Sequence, residues 1–200
     1  MGIDQFWRKY RKPLNNVSRW EIEHALSLAK NFIKKPIKKI VDLGCGTGLS
    51  TYLLKKITNA ELYGVDYSKV AIDIARREYG EDINWLCQKF NDFNINVDLT
   101  FALGLSWYNL KGIINLGYGL SSNFILLQVS DWTSDYSKRE WTYFDEYKIG
   151  TEEETDDIKK RLVAYPNTSI KNSIPFINSF NPRCVYYDQH RICAVFVKEV

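Results

Sequence analysis

The feature that most constrains the fold of this chain is an apolar run that stops at three closely spaced glycines. The run Ile40–Leu43 is followed by glycines at positions 44, 46 and 48, and then by an amphipathic stretch over residues 49–57. Glycine lets the backbone take positive φ angles and lets a ligand approach the main chain closely. We therefore predict a strand, a tight turn and a helix, an arrangement at which open α/β sheets bind nucleotides.

The same alternation of apolar and amphipathic runs continues along the chain. Strands are predicted over residues 37–43, 61–66, 83–87, 97–103 and 123–129. Helices are predicted from residues 18–21 to Pro36, over residues 49–57, after a cap at Ser68 and near residues 110–116. Strands that alternate with helices predict an α/β, doubly wound, mostly parallel sheet. Two closing strands, over residues 184–187 and 192–197, are expected to form a hairpin, which gives seven strands with an antiparallel last strand.

Charge and hydropathy exclude several classes of protein. The net charge of +3 is too weakly basic to require a nucleic-acid partner. No run of apolar residues is long enough to span a membrane, so no membrane partner is expected. Residues 1–12 lack the apolar segment of a secretory signal, and a cytoplasmic location is therefore expected.

The four cysteines and two histidines do not predict a metal site. No two cysteines have C-x-x-C spacing, and His24 and His190 are far apart in the sequence. Cys184 and Cys193 would face each other if residues 186–191 form a tight turn. The alternative is a pair of free buried thiols, because cysteine is often a core residue.

Two common nucleotide motifs fail at the glycine turn. A dinucleotide fingerprint, G-x-G-x-x-G, requires a third glycine where this chain has Leu49. A phosphate-binding P-loop fails because no Gly-Lys-Ser/Thr follows. The observed spacing is G-x-G-x-G, with Asp42 two residues before the first glycine.

The segment Asp42-x-Gly44-x-Gly46-x-Gly48 resembles the first motif of class I S-adenosylmethionine-dependent methyltransferases. The resemblance implies a Rossmann-like fold and S-adenosylmethionine as cofactor, with S-adenosylhomocysteine (SAH) as product. It implies that Gly44, Cys45 and Gly46 lie against the cofactor. Asp42 would serve the cationic end of the cofactor, directly or through water, or would order the glycine turn.

Three further positions match that family. Asp66 ends the second predicted strand, where the family places an acid on the ribose hydroxyls. Tyr67 follows, at a position that commonly packs on the adenine. Asn91-Asp92-Phe93 resembles the adenine-edge motif, which implies that Asp92 accepts from the exocyclic amine and that the Phe93 amide donates to the ring.

The resemblance also divides the chain by expected function. Residues 1–36 form an N-terminal helical lid, 37–130 the cofactor-binding core, 131–182 a cap over the methyl acceptor and 183–200 the closing hairpin. The aromatic and basic residues 6–12 could instead contact nucleic acid. Trp107 and Tyr108 are candidate substrate-facing residues, and His190 is a candidate base. Whether any general base is used stays open, because methyl transfer needs one only when the acceptor must lose a proton.

The acceptor is not defined by the sequence. A small molecule is favoured, while a nucleic acid or a protein stays open, as does the oligomeric state. No Asn/Asp-Pro-Pro-Tyr/Phe motif follows the fourth predicted strand, which argues against amino-methylating enzymes of the adenine or glutamine type. Two rival classes are a nicotinamide oxidoreductase and a non-catalytic module that binds the cofactor or a partner subunit.

Overall fold

Helices and strands alternate along the part of the chain that the computed structural model describes, which is residues 3–9, 19–103, 116–117, 119–121, 123–129, 182–187 and 191–197. The helices are α1 (Ile3–Lys9), α2 (Arg19–Lys30), α3 (Leu49–Ile57) and α4 (Lys69–Tyr79), and a short 3-10 turn spans Phe90–Asp92. The strands are β1 (Lys39–Leu43), β2 (Glu61–Asp66), β3 (Asn84–Cys87), β4 (Leu99–Leu103), β5 (Asn123–Val129), β6 (Cys184–Tyr187) and β7 (Arg191–Val197). In these described ranges no helix is long and apolar enough to cross a membrane.

The strands form one sheet in the order β3-β2-β1-β4-β5-β7-β6. The neighbours from β3 to β5 pair in parallel, and β7 pairs antiparallel with β5 and with β6. The predicted α/β, Rossmann-like fold is confirmed. Strands β2 and β3 lie on one side of β1, and β4 and β5 lie on the other. The strand order therefore reverses at β1, and the carboxyl end of β1 opens into the crevice where such sheets bind ligands.

Side chains that alternate along each strand contribute to two separate cores. Ile40 and Leu62 belong to the core that packs against α2, α3 and α4. Val41 and Tyr63, one position along, belong to the core on the other face of the sheet. This burial on both faces is the pattern expected of a parallel sheet, and it holds β1 rigidly beneath the glycine turn.

The predicted end of α2 and the predicted start of β1 are wrong, and hydrogen bonds explain both. Helix α2 ends at Lys30 rather than near Pro36, because the amides of Phe32 and Ile33 both donate to Ala29 O in a tightened last turn. Strand β1 begins at Lys39 rather than at residue 37. The amides of residues 38 and 39 donate to Asp98 Oδ2, so this side chain replaces a neighbouring strand there.

Other predicted boundaries are closer to the structure. Helix α3 and strands β2 and β5 have the predicted bounds, and β3 and β4 begin one and two residues late. Ser68 caps α4 as predicted, since its Oγ accepts from Ala71 N at 3.2 Å. The helix predicted near residues 110–116 and the cap region over residues 131–181 lie outside the described residues.

The register of the closing hairpin bears on the two cysteines there. Cys184 pairs with Val195, and Cys193 pairs with Tyr186. The two cysteines are therefore not directly opposite each other across β6 and β7. The sequence alone leaves open whether they face each other or are two free thiols.

Candidate functional site

The glycine turn joins β1 to α3 through three residues with positive φ angles. These angles are 69° at Gly44, 52° at Gly46 and 88° at Gly48. Side-chain-bearing residues rarely adopt this region, so the turn requires glycine at all three positions. The amides of Gly44 and Cys45 both donate to Val65 O on β2, at 2.7 and 3.1 Å, which ties the turn to the neighbouring strand.

Asp66, the last residue of β2, connects the glycine turn to the start of α4. Its Oδ2 accepts from Gly46 N at 3.0 Å, and its Oδ1 accepts from Ser68 N at 2.8 Å. The side chain is buried, and this burial raises the pKa of Asp66 to about 6, against the lowering effect of the two amide donors. Each carboxylate oxygen holds more than one lone pair, so both can still accept from a ligand.

Asp42 lies on β1 beneath the turn and is fully buried. Its Oδ2 accepts from Ser50 Oγ at 2.6 Å and from Thr51 Oγ1 at 2.7 Å, which fixes the first turn of α3. Burial raises the pKa of Asp42 to about 6. Its Oδ1 is buried with no hydrogen-bond partner among the described residues. A buried acceptor without a partner costs free energy, so Oδ1 is suited to a donor supplied by a ligand or by water.

Trp85 packs against the glycine turn, a contact that the sequence did not predict. A Cβ at Gly48 would lie 2.7 Å from Trp85 Cη2, and a Cβ at Gly64 would lie 2.5 Å from Trp85 Cε3. The indole is held in place because its Nε1 donates to Gly80 O at 2.8 Å. The third glycine of the motif is therefore required by packing as well as by its φ angle.

The predicted adenine-contacting residues follow β2 and β3 at the same end of the sheet. Tyr67 is half-buried beside Asp66, and Asp92 is exposed in the 3-10 turn after β3. The side chain of Phe93 is buried against Tyr63, with ring centroids 5.8 Å apart. Its amide already donates to Phe90 O at 3.1 Å, so this donor is engaged within the 3-10 turn.

Helix α1 lies over the glycine turn, which the sequence indicated only as a lid of undefined contacts. Its Trp7 ring packs against Gly46, and Asp4 Oδ1 accepts from Ser68 Oγ at 2.6 Å. The substrate-facing candidates Trp107, Tyr108 and His190 lie outside the described residues. Cys45 is a buried free thiol within the turn.

Part of the chain is similar in sequence to known methyltransferases. Residues 40–115 match the family described as a methyltransferase domain. A curated relative, the ribosomal protein L11 methyltransferase of Thermotoga neapolitana, is 32% identical over 78 residues, which are 38% of this chain. The match spans 30% of the length of that relative. The chain therefore matches less than a third of the length of this relative.

Solved structures with the same fold are methyltransferases of low sequence identity. The plantazolicin methyltransferase BpumL, in complex with a pentazolic desmethylPZN analog and SAH, has a TM-score of 0.59 at 15% identity, with 99% of this chain and 90% of that chain covered. The magnesium protoporphyrin IX methyltransferase ChlM of Synechocystis PCC 6803, with bound SAM, has a TM-score of 0.53 at 14% identity, with 90% and 79% covered. The fold is the Rossmann-like fold of these methyltransferases. The resemblance to class I S-adenosylmethionine-dependent methyltransferases is confirmed.

Proposed function

We propose that this protein is an S-adenosylmethionine-dependent methyltransferase with its cofactor site at the carboxyl ends of β1 and β2. The observation that carries the proposal is the link between Gly46, in the middle of the glycine turn, and the buried carboxylate of Asp66. This link brings the first motif and the ribose acid of the family together within hydrogen-bond distance. Cofactor-bound neighbours of the same fold support the proposal.

The hydrogen bonds of the turn favour this cofactor over a dinucleotide. Four amides of the turn donate within the protein. Those of Gly44 and Cys45 donate to Val65 O, that of Gly46 donates to Asp66 Oδ2, and that of Gly48 donates to Cys45 O. A phosphate-binding turn keeps such amides for its ligand. S-adenosylmethionine carries no phosphate, so a turn whose amides are engaged internally is compatible with it.

Charged and polar groups of the chain fit the cofactor at three points. Asp42 Oδ1, buried without a partner among the described residues, would accept from the amino group directly or through water. Asp66 would accept from the ribose diol, because a carboxylate can take two hydroxyl donors. Tyr67 would pack on the adenine, and Asp92 is exposed and available for the exocyclic amine. A ring contact from the Phe93 amide requires that its bond to Phe90 O opens or is shared.

The protein's contribution to the reaction is mainly alignment. S-adenosylmethionine supplies a methyl group on a sulfonium, which is already activated for transfer. The rigid turn and the two buried carboxylates would hold the donor in one orientation while the acceptor approaches. Trp107, Tyr108 and His190 stay predictions for the acceptor side.

We propose a small molecule as the methyl acceptor, with nucleic acid and protein as alternatives. Neighbours named for plantazolicin and for magnesium protoporphyrin IX support the first choice. A relative named for a ribosomal protein supports the alternative. The seven-stranded sheet with an antiparallel β7, the lid over residues 1–36, the cap over residues 131–182 and the cytoplasmic location belong to the same proposal.

The test is transfer of a labelled methyl group from S-adenosylmethionine to separate pools of small molecules, RNA, DNA and protein. We expect labelled product in the small-molecule pool, and none with Asp66→Asn. Label only in a macromolecular pool would contradict the choice of acceptor. Cofactor binding without transfer to any pool would instead favour the non-catalytic module.

A further inference from the structure

Trp7 occupies the space that the missing side chain leaves at Gly46. A Cβ at this glycine would lie 2.9 Å from Trp7 Cη2 and 3.0 Å from Trp7 Cζ2. Glycine at such a position lets another group approach the backbone closely. In this structure the group that makes the close approach is an indole from the protein's own first helix.

A second contact holds α1 at the start of α4. Asp4 Oδ1 accepts from Ser68 Oγ at 2.6 Å and lies 3.4 Å from Val70 N. Ser68 is itself the cap of α4, so Asp4 extends that cap with a negative charge at the positive end of the helix. Helix α1 is thus fastened on one side of Asp66 by Trp7 and on the other side by Asp4.

The second contact carries an electrostatic cost. Burial is the main cause of the raised pKa of the Asp66 carboxyl, and the charge of Asp4 nearby raises this pKa further. The two carboxylates therefore repel each other while α1 is docked. A helix of seven residues has little stability of its own, so its position depends on these contacts.

We propose that α1 is a removable plug of the cofactor site. When α1 is docked, Trp7 blocks the approach to Gly46. The Asp4–Ser68 hydrogen bond sets the fraction of molecules in which α1 is undocked. The proposal rests on the proposed function, since it concerns the same site. When a ligand binds only a minor open state, its apparent affinity falls in proportion to the fraction of molecules in that state. A plug that is docked nine-tenths of the time lowers the apparent affinity about tenfold.

The test compares SAH binding to the full chain and to three variants, with association rates measured by stopped-flow mixing. Trp7→Ala removes the block, and Ser68→Ala removes the hydroxyl that donates to Asp4 while the repulsion between Asp4 and Asp66 remains. Both should therefore raise the association rate and the affinity, Trp7→Ala by up to about tenfold. Gln5→Ala, at an exposed position of the same helix, is the matched control and should leave both unchanged. Weaker or equal SAH binding by Trp7→Ala would overturn the plug and make Trp7 a wall of the occupied site.

Amide hydrogen exchange separates the failure of this inference from the failure of the proposed function. In the wild-type chain, SAH should increase exchange over residues 3–9, and Ser68→Ala should increase it without ligand. SAH binding that leaves exchange of α1 unchanged, or slows it, contradicts the plug alone. Absence of SAH binding in the wild type and in all variants contradicts the proposed function together with the plug.

Discussion

At the scale of single residues, Asp66 is the side chain on which the site depends most. Its two oxygens accept from Gly46 N and Ser68 N. Replacement by asparagine leaves one oxygen acceptor and turns an amide NH₂ towards the other backbone donor. We expect Asp66→Asn to lower the affinity for SAH at least about tenfold and to destabilise the fold by about 1–3 kcal/mol, the cost of one unpaired buried donor.

The matched control for this substitution is Asp73→Asn. Asp73 is exposed on α4 and forms an ion pair with Lys69, at 2.6 Å. An exposed pair of this kind contributes little to stability, so we expect wild-type SAH affinity. Calorimetric titration measures the affinities and urea unfolding the stabilities. Equal SAH binding by the two variants would mean that Asp66 is not the ribose acid.

The two buried carboxylates predict opposite effects of pH on stability and on binding. Burial raises the pKa of Asp42 and of Asp66 from 3.8 to about 6. Asp42 faces Ser50, Thr51 and Asp66, while Asp66 faces Asp4 and two backbone amides. A carboxyl with a raised folded-state pKa contributes stability that is complete below the unfolded pKa and is lost as the pH rises through the folded pKa.

We therefore expect the ligand-free protein to lose stability from these groups as the pH rises from about 4 to 6.5, with little further loss above that range. Affinity for S-adenosylmethionine should rise over the same range, because its amino group would bind ionised Asp42 and its ribose hydroxyls ionised Asp66. Urea unfolding and calorimetric titration at about pH 4, 5, 6 and 7.5 measure both quantities. Asp42→Asn should flatten the stability profile, and an equally steep profile in this variant would contradict the assignment to Asp42.

At the scale of elements, the junction between the glycine turn and α3 depends on Trp85. A Cβ at Gly48 meets Trp85 and the Ala75 Cβ, at 2.7 and 2.8 Å, whereas a Cβ at Gly80 meets nothing within 4 Å. The backbone also differs: Gly48 is in the left-handed region, with φ 88° and ψ 2°, whereas Gly80 combines φ 79° with ψ −173°, a region that only glycine adopts readily. Alanine at Gly80 therefore adds backbone strain alone, and alanine at Gly48 adds left-handed strain together with overpacking.

We expect Gly80→Ala to cost about 1–3 kcal/mol, all of it backbone strain. Gly48→Ala should cost about 1–2 kcal/mol for the left-handed region and a further 1–3 kcal/mol or so, because the core around Trp85 must shift. Urea unfolding measures both variants, and Gly48→Ala again in a Trp85→Leu background, where the overpacking should be relieved. A loss from Gly48→Ala that is as large in the Trp85→Leu background would show that Trp85 does not pack against the turn as described.

Signals that are local in sequence predicted the elements around the turn. The amphipathic run gave α3 its bounds, and a serine before an amphipathic run predicted the cap of α4. Contacts between distant residues could not be predicted in this way. The start of β1 depends on Asp98, and the support of Gly48 depends on Trp85. For the same reason the sequence indicated a lid but not the contact of Trp7 with Gly46.

At the scale of the whole molecule, the strand order brings the ends of β1, β2 and β3 to one edge of the sheet. A ligand that bridges these ends binds only the folded chain, so its binding free energy adds to stability. At SAH concentrations about 100-fold above its dissociation constant we expect a gain of about 2.7 kcal/mol. This corresponds to a rise in Tm of roughly 5–10 °C for a chain of this length.

Scanning calorimetry with and without SAH measures that rise. Asp73→Asn should show it as the wild type does, and Asp66→Asn should show at most about half of it at the same concentration. A rise of the same size in Asp66→Asn would place the ligand elsewhere on the molecule.

The central claim, that the glycine turn binds S-adenosylmethionine and not a dinucleotide, is tested most directly by calorimetric titration of the wild-type chain with SAH and, separately, with NADH. We predict saturable binding of one SAH per chain, competition by S-adenosylmethionine and no binding of NADH. Saturable binding of NADH without binding of SAH would contradict the claim.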